Sequence, residues 1–322
     1  MYRLSPLPVL AALAVVAVAV LAVALAVGSV EVKLATVWRA LFDDDASTAA
    51  SVVRDLRLPR AVAAFAVGGL LAVAGSLMQV MLRNPLADPY LLDLSGGAAC
   101  GALAALLLGF AAWATPAAFA GAALSTFLVF GLARGRGAWS SNRLLLTGVV
   151  VAAGFGALIM LMLAIAPDTQ VRGMLFWLIG DLSVASHGEG ALAMLVLILA
   201  AALLFARDAT LIARGDVTAA ALGVRVRAVS LALHMLAAIA TAIAVTVAGS
   251  VGFVGLVVPH AVRLVIGNDQ RYLLPAAALA GGALLVAADT LARTVVAPAQ
   301  LPVGVLTALA GVPLFLWLLR RS

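Results

Sequence analysis

Ten apolar runs, most of them near twenty residues long, alternate with short segments that hold most of the charge. They fall at about 8–28, 61–82, 98–113, 115–133, 143–166, 190–206, 229–248, 250–266, 273–294 and 303–319. A helix needs about 20 apolar residues to cross a bilayer. In hydrocarbon every backbone polar group must find its partner inside the protein, so a span is a helix or part of a closed barrel. Barrel strands alternate polar and apolar residues, and these runs do not. The pattern predicts an all-α, polytopic integral membrane protein with about ten transmembrane helices, a single membrane domain over residues 1–322 with the lipid bilayer as its surroundings. Composition agrees: 11% of the 322 residues are charged and 65% hydrophobic, where a soluble domain carries about 25% charged. Pro59, Pro116, Gly249, Pro275 and Pro302 punctuate the runs. Met174 to Leu182 is apolar but too short to span, and is expected at the interface or in a re-entrant turn.

The charged residues exclude several functions. Lys33 is the only lysine, so no Gly-Lys-Ser/Thr phosphate loop exists and the chain cannot bind ATP in that way. The arginines lie in short loops and match membrane topology rather than a nucleic-acid surface. Cys100 is alone, which rules out an intrachain disulfide or a cysteine metal cluster. The apolar stretch Val9 to Val27 is longer than a signal-peptide core and is followed by further spans, so it is read as a retained first helix. Ten spans put both termini on one side. If that side is the cytoplasm, it holds thirteen of the basic residues against seven opposite, as the positive-inside bias requires.

Small residues mark the places where helix backbones approach closely in lipid: Gly68, Gly69 and Gly75 in the second run, the Gly97–Gly101 pair, and Gly249, Gly252 and Gly255 near the eighth. A faint internal echo relates Ala74-Gly75-Ser76, with Val80 and Pro85, to Ala248-Gly249-Ser250, with Val254 and Pro259.

Two polar islands interrupt the apolar pattern. The first is Arg83-Asn84-Pro85-Leu86-Ala87-Asp88-Pro89. The second spans about 207–227, centred on Arg214-Gly215-Asp216-Val217-Thr218-Ala219-Ala220-Ala221-Leu222-Gly223. In the second, Asp216 suits a helix N-cap, the alanines favour a short helix and Gly223 suits its C-terminal stop. Mechanics alone leave two readings open: a small rigid helix that inserts into a partner, or a capped connector between spans.

The motifs break that tie. Arg57-Leu58-Pro59-Arg60 with Gly68, Ala74-Gly75 and Gln79 leads into Arg83 to Pro89. Gly215-Asp216 through Leu222-Gly223 follows, then Gly252-Phe253-Val254-Gly255-Leu256-Val257-Val258-Pro259-His260 with Arg263, Gly267 and Asp269. Last come Asp289, Arg293, Leu301-Pro302-Val303-Gly304, Thr307, Gly311, Pro313 and Phe315. Four blocks in this order, over nearly the whole chain, resemble the FecCD/BtuC-like permeases of ABC importers for iron chelates, haem and cobalamin. The resemblance implies a type II importer permease fold in the bacterial inner membrane. It also implies a second copy of the chain, a separate ABC ATPase subunit that uses ATP, and a periplasmic substrate-binding protein, with no cofactor bound by this chain. Arg214, Gly215, Asp216, Ala219, Ala220, Leu222 and Gly223 would couple to the ATPase. Arg57, Arg60 and Arg293 would dock acidic residues of the binding protein, where the residues alone favour arginines snorkelling at helix ends. Gln300 departs from the family's glutamate, and Asp93 stands where glycine is expected.

Other polar residues carry blander expectations. His260 is read as a helix cap rather than a haem ligand, His234 as packed against a neighbouring helix, and His187 as a solvated loop residue. Asp289, one turn from Arg293, is expected to pair with it. Pro313 should kink the last span. The function expected is a permease for a metal chelate. The alternatives are a permease for a free metal ion and an ion-coupled secondary transporter. The latter needs buried carboxylates, and Asp289 is the one that qualifies.

Overall fold

The computed structural model describes every residue except 1–3, 29–31, 44–46, 93, 134–140, 184–187, 298 and 320–322. The helices are α1 (Pro6–Ala26), α2 (Leu34–Phe42), α3 (Thr48–Ser51), α4 (Leu58–Met81), α5 (Leu94–Leu107), α6 (Ala114–Ala133), α7 (Ser141–Ile165) and α8 (Asp168–Ile179). They continue with α9 (Gly188–Leu204), α10 (Ala206–Ile212), α11 (Asp216–Ala221), α12 (Val226–Ala248), α13 (Val254–Ile266), α14 (Gln270–Thr294) and α15 (Val303–Leu319). Each of the ten apolar runs has its helix. Among the described residues six helices are long and apolar enough to cross a membrane outright, α9 with α10 makes a bent pair (62°) that brings the number to seven if it is one span, and α5, α13 and α15 are shorter. This is a multi-pass membrane protein.

The arrangement centres on α4, which a wide π turn (Val52–Arg57) joins to α3 as one 34-residue helical stretch, its most apolar 18-residue segment 89% buried. Around it pack α9, α12, α13 and α14. Apolar burial drives no association between helices in lipid, so close packing must supply the cohesion. Glycine provides it here. A Cβ on Gly68 would lie 2.2 Å from the carbonyl oxygen of Gly281 on α14, and one on Gly75 only 1.8 Å from that of Gly255 on α13. Gly97 and Gly101 do the same for α5 against Gly121 and Ala117 of α6. Pro259, four residues after Gly255, has no N–H to offer that carbonyl, which faces Gly75 instead. At the other extreme, the most apolar 18-residue segment of α7 is only 11% buried and that of α1 17%.

The segment Met174–Leu182 packs on the bundle through Met174 and Leu182, while Leu175 and Ile179 stay exposed. Helix α8 buries Met174 and ends at Gly180, whose φ is +90°. Asp181 N–H then donates to Ala248 O (2.8 Å), and Gly304 N–H to Gly180 O (3.3 Å), so α8, the end of α12 and the start of α15 are joined through their backbones. Gly249 breaks α12 with φ +68°. Two expectations change. Pro275 lies inside α14 rather than at its boundary. His260 lies within α13 and is not a cap. The echoed segments are not equivalent: Gly75 is mid-helix, while Gly249 is a helix terminus. His234 packs as expected, edge-on against Phe130, with its Nδ1 2.8 Å from Ser230 O.

Candidate coupling face and outer charge cluster

The two polar islands meet at one end of the molecule. Helix α4 stops in a reversed turn: Asn84 N–H donates to Gln79 O and Arg83 N–H to Val80 O, both at 3.2 Å. This is the Schellman pattern, with Arg83 in the left-handed position at φ +49°. Asn84 Oδ1 next accepts Leu86 N–H, and Asp88 Oδ1 accepts Tyr90 N–H (2.8 Å). Burial pushes the Asp88 carboxyl up, against the lowering effect of that N–H. The Tyr90 hydroxyl accepts Val251 N–H and donates to Val251 O, both at 3.1 Å, which ties the island to the turn before α13.

The second island forms α11. Its N-cap is Gly215 at φ +125°, not Asp216, which is the first helical residue and makes no capping bond. The predicted stop holds: Gly223, at φ +85°, donates to Ala220 O and Val224 N–H donates to Ala219 O, both at 3.0 Å. Ala219 and Val224 are buried beneath this turn. Val217 and Leu222 point outward, 85% and 61% exposed, alongside exposed Arg214, Asp216, Ala220, Ala221 and Gly223. Helix α10 is anchored by Thr210 Oγ1, which accepts Gln270 N–H (3.0 Å) at the start of α14. Leu4 N–H donates to Val265 O (3.1 Å) near the end of α13, so the N-terminal segment joins this same end. Between the islands, Arg83 Nη2 stands 3.3 Å from Asp216 Oδ2.

At the far end of α4, Arg57, Arg60 and Arg293 converge as the sequence grouped them. Arg57 is buried and donates to Leu25 O (2.8 Å) and Ala26 O (2.9 Å), while Arg293 reaches Ala24 O (3.4 Å). Together they satisfy carbonyls that the end of α1 leaves open. Gly28 leaves room for the guanidinium: a Cβ there would lie 2.8 Å from Arg57 Nη2. Arg60 grips Asp289 with Nη2–Oδ1 at 2.8 Å and donates Nη1 to Gln300 Oε1 (2.8 Å). The expected Asp289–Arg293 pair is present at 3.2 Å, but Arg60 is the nearer partner. A carboxylate held by two arginines is no free coupling site for an ion. Gln300 keeps the hydrogen bond that a glutamate would make and drops its charge. The arginines are therefore fold-building residues as well as candidate docking residues, a role invisible in their spacing. Asp93 and His187 lie outside the described residues.

The fold and these two ends define a helical membrane transport subunit: a compact bundle with a rigid, partly apolar connector helix held out at one end. The chain belongs to the FecCD transport family, whose profile matches residues 15–321, and it is a permease subunit of an ABC importer. It is 44% identical over 281 residues to a cobalamin import system permease of Halobacterium salinarum, covering 85% of this chain and 74% of that one. It is likewise 44% identical over 278 residues to a hemin transport system permease of Yersinia pestis, covering 83% of each. An iron(3+)-hydroxamate import permease of Bacillus subtilis is 36% identical over 312 residues, covering 92% and 79%. A solved inward-facing structure of a transporter assigned to the metal-chelate ABC type superposes with a TM-score of 0.85 at 28% identity, covering 99% of this chain and 100% of that one.

Proposed function

We propose that this chain forms half of a homodimeric pore that imports a bulky metal chelate (ferric siderophore, haem or cobalamin) across a bacterial inner membrane, with both termini cytoplasmic. A separate ATPase subunit supplies the energy, and the chain itself holds no cofactor. The observation that carries the reading is the build of α11. Its outer face, Val217, Ala220 and Leu222, is small and apolar, and exposed apolar surface rimmed by charge marks a partner site. Its inner face is pinned by Ala219 and the Gly223 turn. The relatives named above support the cargo class. At the opposite end, one carboxylate pairs with two of three clustered arginines, and the surplus positive charge suits the acidic lobes of a periplasmic binding protein. Arg60 and Arg293 side chains are only 12% and 10% exposed, so attraction there works through the field of the cluster more than through free side chains.

The experiment is Ala220→Arg in the assembled transporter. It should abolish uptake and release the ATPase while leaving insertion and melting temperature intact. Undiminished uptake rejects α11 as the coupling helix. For the outer cluster, binding-protein association should weaken steeply with added salt; a salt-independent affinity rejects the docking role.

A further inference from the structure

The island Arg83–Pro89 has no part in the function proposed above, yet its leading residue is held against local sterics. Arg83 occupies the left-handed position that ends α4, where glycine is free and any L side chain crowds the backbone. An arginine kept in such a place points to a need for its side chain. What the side chain reaches is Asp216, at 3.3 Å. Asp216 is available because it caps nothing on its own helix. We propose that Arg83 and Asp216 form a link that passes the movement of α11 directly into α4, with Arg83 as a positioning residue. The inference rests on α11 being the coupling helix.

The geometry gives the link its consequence. Helix α11 otherwise packs against α10 and α12, its neighbours in the chain. The pair adds a contact at the end of α4, the helix on which α9, α12, α13 and α14 converge. Close-packed interiors shift as discrete units rather than deforming smoothly, so displacement applied at Arg83 moves the whole packed group. As an exposed pair it adds little to stability; what it contributes is direction. An ATPase seated over α11 would exclude water from the pair and strengthen it.

The test uses the permease reconstituted with its ATPase and binding protein. It measures ATP hydrolysed per molecule accumulated, with radiolabelled haemin, cobalamin and ferric hydroxamate as probes. Arg83→Gly relieves the backbone and removes the link. It should melt no lower than wild type and still co-purify with the ATPase, yet lose about two- to fivefold in uptake per ATP, the range a surface ion pair spans. Exchanging the charges, Arg83→Asp with Asp216→Arg, should recover most of the loss that each single change causes, since aspartate tolerates the left-handed conformation. Wild-type uptake per ATP in Arg83→Gly, a lowered melting temperature in that variant, or an exchange no better than its single changes would each overturn the link. If Ala220→Arg still retains the ATPase, the coupling-helix reading falls and takes the link with it. If Ala220→Arg dissociates the complex while Arg83→Gly transports normally, the link alone falls.

Discussion

Arg60 and Asp289, 229 residues apart in sequence, meet side-on: Nε lies 3.0 Å from Oδ2 and Nη2 lies 2.8 Å from Oδ1. The carboxylate is 2% exposed. This pair fastens the start of α4 to the last third of α14, and Arg293 closes the other side of the same carboxylate at 3.2 Å. Deep pairs of this kind gain little over apolar packing, because both ions must be desolvated, yet removing one partner strands the others.

Asp289→Ala should therefore destabilise the protein by about 3–5 kcal/mol, the usual cost of leaving a buried charge unmatched. The measurement is thermal unfolding in detergent. Replacing Arg60 and Asp289 together by Met and Leu should cost much less than the two single changes added. A strictly additive double variant would show that the two groups do not interact.

Gly75 sets how closely α4 and α13 approach. A methyl group there would lie 1.8 Å from Gly255 O, and backbone cannot yield as a flexible side chain does. Gly75→Ala should lower the melting temperature sharply, with a stability cost above the roughly 1–3 kcal/mol typical of overpacking. Gly154→Ala on α7 has nothing within 4 Å of the added carbon. It should be neutral or stabilising, because alanine is favoured over glycine by about 1 kcal/mol in a helix. Equal tolerance at both positions would refute the close approach.

Ala219 and Val217 separate the two faces of α11. Ala219 is fully buried, so Ala219→Leu should lift the helix off the bundle and cost about 1–3 kcal/mol. Val217→Asp, on a side chain 85% exposed, should leave the melting temperature unchanged while reducing ATPase co-purification. The reverse pattern would mean that the helix presents its other side.

The spans were legible because the bilayer imposes one length and one composition on every crossing helix, and Gly223 because a helix stop needs a positive φ that glycine supplies. Asp216 was misplaced by one residue. A glycine with an aspartate after it offers two N-caps, and Gly215 at φ +125° takes the role, leaving the carboxylate for Arg83. Arg57 as a cap for α1, and Arg60 as the main partner of Asp289, could not be read from spacing, since both depend on which helices pack together across more than thirty and more than two hundred residues. In sequence His260 reads as a cap, but α13 runs past it to Ile266, and Gly255 O, the acceptor Pro259 cannot bond, lies against Gly75 of α4.

Acid should selectively weaken the start of α14. Asp269 caps this helix by accepting Arg271 N–H at 3.1 Å, and its carboxylate also takes the Arg271 side chain, with Nη2–Oδ2 at 2.6 Å. The side-chain hydrogen bond from Arg271 chiefly holds the carboxyl below its ordinary value, with the backbone bond and the guanidinium charge adding to it and burial opposing. A carboxyl lowered on folding stabilises the native state fully above its unfolded value, about 3.9, and loses that contribution as pH falls through the folded one. At neutral pH, Asp269→Ala should cost about 1 kcal/mol, as loss of an N-cap does. Asp269→Asn should cost less, because the amide oxygen can still accept the backbone N–H. The melting-temperature gap between wild type and Asp269→Asn should then narrow as pH drops from about 6 towards 3, since protonation removes from the wild type the charge that the variant already lacks. Taking the difference between two proteins in the same detergent cancels acid effects common to both. A gap that stays constant over that range, or widens, would show that the Asp269 carboxylate is not what Arg271 stabilises at the head of α14.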